Sequence, residues 1–164
     1  ASAQNKIYLL YAGKALEAIA SDRQNNIPVE PKDHITTFHE AFFTLDPDDK
    51  VINGNLSKAL YLADGSAKRL SDNLKETGYY SGRISGNISQ RITIDSISLD
   101  IKTYPFYFRC YATIKIIRAT SIVTRNLITE GYLRNVTKSE NNSHGFLIEK
   151  WATLENRDLK VENR

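Results

Sequence analysis

From Phe106 to Ile116 every second residue is apolar. Phe106, Phe108, Cys110, Ala112, Ile114 and Ile116 alternate with Tyr107, Arg109, Tyr111, Thr113 and Lys115. A period of two sustained this long demands a strand with one buried and one solvated face, the pattern of an antiparallel sheet packed on a single side. The neighbouring segments agree. Ile92 and Ile94 share one parity while Ile97, Leu99 and Ile101 share the other, which predicts a bulge near Asp95–Ser96. "KTYP" reads as a turn, residues 121–137 as a long strand rich in Thr and Val, and "KSENNSHG" as a turn cluster. Phe146–Leu154 then pairs back as a further strand.

The first half has a different period. Residues 31–77 repeat apolar positions at helical spacing. One helix is expected from Lys32, with Ile35, Phe38, Phe42 and Leu45 along it. Asp46 then suits an N-cap and Pro47 a first helical position. Leu56, Leu60, Ala63, Ala67, Leu70 and Leu74 continue in phase through Gly65, so a single helix is expected from Pro47 to Thr77, ended by Gly78. "YYSGRISGN" reads as a flexible connection. At the start, Ile7–Tyr11 reads as a strand and "AGK" as a turn. "ALEAIA" suits a helix by propensity and the second arm of a hairpin by position, and the hairpin is preferred. "NNIPVEP" reads as a loop.

Helices followed by long antiparallel strands define an α+β domain. Strands of this length twist strongly, so the sheet should curve around the N-terminal helices as a nuclear-transport-factor-like or cystatin-like cone. At 164 residues, one domain covering 1–164 is expected. The net charge of +3 is mild, and no run of five basic residues occurs, so direct nucleic-acid binding is not expected. The chain has no methionine, and Ala1 is therefore expected to follow a removed signal or anchor. Within the chain no apolar run approaches the ~18–20 residues that cross a bilayer.

Candidate chemistry is sparse. In "NNSHGFLIEKWATLEN", residues 141–156, strand alternation puts Phe146, Ile148, Lys150, Ala152 and Leu154 on one face. Trp151 falls on the other, outer face with Leu147, Glu149, Thr153 and Glu155. His144 precedes Gly145 in the turn, where imidazoles are usually solvated. His34 and His39 are five apart, about 140° around a helix, and cannot jointly grip a zinc ion. They read as solvated. "DPDDKVINGN" places Lys50 and Val51 where a calcium loop needs an oxygen ligand and a glycine. No phosphate-binding glycine loop and no G-x-S-x-G elbow is present. The four N-x-[ST] tripeptides, at Asn55, Asn87, Asn135 and Asn141, read as chance. Cys110 is the sole cysteine and reads as a small core residue. No catalytic, cofactor or metal site is expected. The candidate partner-interface residues are the adjacent aromatic pairs Phe42–Phe43 and Tyr79–Tyr80, together with Trp151.

Four stretches, "TTFHEAFFTLDPDD", "NLSKALYLADGSA", "GYYSGRISGNISQRI" and "NNSHGFLIEKWATLENRDL", together resemble TraK of Bacteroides-type conjugative transposons. The resemblance covers nearly the whole chain. TraK proteins are similar to the bitopic inner-membrane assembly factors of type IV secretion systems. What this implies is a short cytoplasmic tail, one membrane helix before Ala1, and a periplasmic domain with the curled-sheet fold. It also implies a non-enzymatic scaffold without cofactors, associating with itself and with other channel components. The N-P-x-G turn of some relatives does not occur here, so no interface residues carry over. The same cone hosts isomerases and dehydratases with a carboxylate or His between sheet and helices, and a small-ligand carrier would use that same pocket. The inward row from Phe106 to Ile116 offers no acid–base pair. A hollow filled with hydrocarbon favours the scaffold; a wetted one lined by ionisable groups favours the enzyme.

Overall fold

A computed structural model describes residues 29–164. The segments assigned above to Ile7–Tyr11, "AGK" and "ALEAIA" lie outside the described residues.

Helix α1 spans Val29–Phe43. It begins before Lys32, with Pro31 in its first turn, where the missing N–H forfeits no hydrogen bond. At its end the chain is pinned to the sheet. Leu45 and Gln90 exchange both backbone hydrogen bonds, at 3.0 and 2.8 Å, and the Asp46 carboxylate accepts from Arg91 at 2.7 Å. Held extended there, the chain cannot turn helical at Pro47. Helix α2 starts instead at Asp49 and runs to Leu60, capped by Asp48, whose Oδ1 accepts from the Lys50 N–H at 2.9 Å.

The single helix expected over Pro47–Thr77 is two helices, because Leu62–Asp64 pairs with the sheet. The Ile148 N–H donates to the Leu62 carbonyl at 2.9 Å, and the Asp64 N–H donates to the Ile148 carbonyl at 2.7 Å. Asp64 then caps a new helix α3, Gly65–Glu76, accepting from the Ser66 N–H at 2.9 Å. The apolar stripe survives the break: Leu56, Ala63 and Ala67 are buried and Leu60, Leu70 and Leu74 pack against the core. Gly78 ends α3 at φ +81°, a left-handed conformation that glycine adopts without strain. "YYSGRISGN" is largely helical, with α4 covering Tyr79–Ser85.

Strands β1 (Ser89–Asp100), β2 (Phe106–Ile117), β3 (Ser121–Asn135) and β4 (Phe146–Asn163) form one antiparallel meander in the order β1-β2-β3-β4. The bulge expected near Asp95–Ser96 is present, as a register shift between Ile94 and Ser96. β4 extends to Asn163, well past Leu154, and its register against β3 shifts three times. Helix α1 crosses the concave face of the sheet diagonally. His34 packs on Phe146 of β4, His39 meets Thr129 of β3, and Leu45 lies against Gln90 at the start of β1. The observed architecture is the α+β cone expected from the sequence.

Candidate functional site

The hollow between sheet and helices is filled. Phe38, Phe42 and Phe43 from α1 meet Phe108 and Leu127 from the sheet, and all are buried. Phe38 and Trp151 pack edge-to-face with ring centroids 4.8 Å apart. Among the described residues no Asp, Glu, Lys or Arg is buried.

Two histidines are buried there, contrary to the solvated positions expected of them. Pairs at 34/35, 38/39 and 42/43 widen the apolar stripe of α1 enough to carry both imidazoles inward. His39 is fully satisfied. Its Nδ1 donates to the Ile35 carbonyl one turn back at 2.7 Å. That leaves Nε2 as an acceptor for the Thr129 hydroxyl at 2.7 Å and the Trp151 indole N–H at 3.3 Å. Burial pushes its pKa down to about 4 against the opposing effect of the Ile35 carbonyl, so the ring is neutral at pH 7. His34 donates from Nε2 to the Leu62 carbonyl at 3.2 Å, and burial likewise lowers it to about 4. His39 thus ties α1 to Thr129 and Trp151 of the sheet, and His34 ties α1 to the Leu62 carbonyl. Burial also pushes the Cys110 thiol up to about 12, which removes its nucleophilic form.

Trp151 is the main correction to the sequence reading. It is 5% exposed and part of the core, not of the outer face. Strict alternation fails because Lys150 adopts φ +52° and the β3–β4 register slips between Glu130 and Tyr132. That slip turns Trp151 inward beside Phe146 and Ile148, and leaves Lys150 exposed. The bulge sits opposite Gly131, where a Cβ would lie 2.8 Å from the Phe108 ring. It is clasped by the start of α3. The Lys150 N–H donates to the Asp64 carboxylate at 3.1 Å and the Trp151 N–H to the Ser66 hydroxyl at 2.9 Å. Partial burial works against the charged Asp64 carboxylate, but hydrogen bonds from Ser66 and Lys150 outweigh it and hold the pKa below the ordinary value. The lone glycine within β3 was the available signal for this feature.

The remaining interface candidates fare similarly. Phe42, Phe43 and Tyr80 are buried within the chain itself. Tyr79 is half-buried; its hydroxyl donates to Gln90 at 2.9 Å and Arg83 stacks 4.4 Å from its ring centroid. His144 is mostly covered, and its Nε2 lies 2.7 Å from the Asp33 carboxylate. The five residues do not form a surface.

What the described residues leave open lies elsewhere. A cleft of about 450 Å³ lies outside the cone, bordered by Thr37, Lys58, Tyr61, Glu140 and His144. No group of three or more His, Cys, Asp or Glu side chains among the described residues is placed to hold a metal ion. No described helix is long and apolar enough to cross a membrane. The sheet ends in two edge strands, β1 and β4, and from Ala152 onward β4 is almost entirely exposed.

No family model matches the sequence, and no curated protein matches it. Solved structures do match the fold. The soluble domain of TrwG of the type IV secretion machinery from Bartonella grahamii is similar over 80% of this chain and 96% of its own, with a TM-score of 0.65 at 14% identity. Agrobacterium tumefaciens VirB8 covers 83% of this chain and 95% of its own, at TM-score 0.60 and 7% identity. CagV of Helicobacter pylori, a VirB8 homolog of type IV secretion, covers 80% and 99%, at TM-score 0.55 and 14% identity. At such identities the likeness is one of fold: this chain has the fold of the VirB8-like proteins of type IV secretion.

Proposed function

We propose that the chain is the periplasmic domain of a non-enzymatic assembly component of a type IV secretion channel, of the TraK kind found in Bacteroides-type conjugative transposons. It acts by contact with other channel components and with itself, anchored to the inner membrane by a helix preceding Ala1. The observation that carries this reading is the near-complete overlap with the type IV secretion structures, each matched over almost its whole length. The filled cone supports it. A pocket enzyme or ligand carrier of this fold works from the hollow between sheet and helices, and here that space holds Phe38, Phe42, Phe108 and Trp151. Both ring nitrogens of the His39 imidazole at its centre are spent on structural hydrogen bonds.

The test is sedimentation of the chain alone and mixed with the other soluble domains of its transfer channel, with conjugative transfer measured in a strain lacking the gene. Concentration-dependent association and loss of transfer are expected. A chain that stays monomeric in every mixture, or a strain that transfers normally without it, would overturn the proposal.

A further inference from the structure

β1 is one edge of the sheet, and among the described residues its outer side is met only at Gln90, by the bridge to Leu45. From Arg91 to Asp100 its exposure alternates in a way that reads the same from either end. Arg91, Thr93 and Asp95 are exposed with Ile92 and Ile94 half-buried between them. Ser96, Ser98 and Asp100 are exposed with Ile97 and Leu99 half-buried between them.

The bulge creates this symmetry. In a regular strand of even length, residues equidistant from the centre lie on opposite faces. The extra residue at Asp95 shifts the parity of the second half, so each residue shares a face with its mirror image. The chemistry mirrors too. Ile92 corresponds to Leu99, Thr93 to Ser98, Ile94 to Ile97 and Arg91 to Asp100.

A strand with these properties can pair antiparallel with a second copy of itself about a two-fold axis perpendicular to the sheet, passing between Asp95 and Ser96. Aliphatic side chains then meet aliphatic ones on the concave face, and hydroxyls meet hydroxyls on the convex face. We infer that the chain self-associates by this edge, joining two four-stranded sheets into one continuous sheet through the Ile92–Leu99 segment. The inference rests on the self-association proposed above and assigns it a place. Arg91 already serves Asp46 and the Leu45 carbonyl, so its pairing with Asp100 of the second copy adds little. The two Asp95 carboxylates flank the axis, each accepting from Thr113 of its own chain at 2.7 Å, and their repulsion keeps the contact weak. β4, the other edge, is bent by three register shifts against β3, a feature that discourages strand addition.

The test is a cysteine pair in the full chain. Thr93→Cys with Ser98→Cys places two thiols opposite their partners across the axis, whereas Thr93→Cys alone leaves its two thiols far apart along the joined edge. Both positions are exposed, and native Cys110 is buried, so neither folding nor background oxidation intervenes. A disulfide-linked dimer is expected from the cysteine pair and not from the single variant. As an oxidant-free counterpart, Thr93→Lys with Ser98→Lys should weaken association about tenfold, and Thr93→Glu with Ser98→Lys should restore it. Association that persists, with cross-linking equal in the cysteine pair and the single variant and no response to charge, overturns this edge and leaves the scaffold reading intact. A native chain that never associates removes both.

Discussion

The two halves of β4 belong to one ladder and live under different constraints. Phe146–Trp151 lies beneath α1 and α3, where Ile148 is fully buried and Trp151 nearly so. Beyond Trp151 the strand continues to pair with β3 but, among the described residues, has no helical layer above it. Leu159 and Val161 are 52% and 63% exposed, although they are as aliphatic as Ile148. Apolar letters in a strand therefore report a core only where a second layer covers that strand. The boundary between the regimes is the Lys150 bulge and its clasp by Asp64 and Ser66.

The sharpest way to break this contrast is Trp151→Ala, which removes a ring packed on Phe38 and Phe42 and leaves the His39 acceptor with one donor fewer. A loss of about 3–5 kcal/mol in chemical denaturation is expected. Acid should act on the same half. His34 and His39 ionise near 6.5 when unfolded and are lowered to about 4 when folded. The unfolded chain thus binds the extra protons first, and the stability owed to the neutral rings is complete above pH 6.5 and lost as pH falls towards 4. The fall attributable to His39 is about 3 kcal/mol, read as the denaturation midpoint against pH. A flat profile from pH 7 to pH 4.5 would refute the buried neutral rings.

Gly131→Ala tests the bulge from the β3 side. A methyl group 2.8 Å from the Phe108 ring should lower stability by about 1–3 kcal/mol. Asp64→Ala tests the clasp itself; removing the α3 cap is expected to cost about 1 kcal/mol in thermal or chemical unfolding. On the bare half, Leu159→Ser should change stability by less than about 0.5 kcal/mol in the same measurement. An effect there as large as that of Asp64→Ala would mean that a layer covers the distal strand after all.

The legible parts of the fold were those in which apolar residues marked the geometry unaided. The bulge at Asp95 is visible because Ile92 and Ile94 change parity with Ile97, Leu99 and Ile101. The bulge at Lys150 is invisible by the same rule, because Ala152 and Leu154 happen to continue the parity of Ile148 although both are exposed. The break between α2 and α3 was hidden for a related reason. Leu60, Ala63 and Ala67 keep helical phase across a segment whose backbone is bonded to β4, and phase reports which side is buried, not which hydrogen bonds are made. The buried histidines are misplaced because their spacing excludes only a shared zinc ion, whereas the flanking apolar neighbours that broaden the stripe of α1 decide their burial. Phe42, Phe43 and Tyr80 read as candidates for a partner surface on the assumption that adjacent aromatic rings exceed what one core can absorb, and all three are buried. Here α1 lies between strands and other helices and absorbs both Phe42 and Phe43.

The Asp64–Ser66 tripeptide starts a helix and anchors a distant strand with the same few atoms. Related sequences that lose the kink at Lys150 would strand two acceptors at the head of α3, and those that change the cap would release the kink. The two segments, some eighty-five positions apart, should therefore drift together or not at all, so that exchanging either one alone between relatives yields a chimera weaker than both parents.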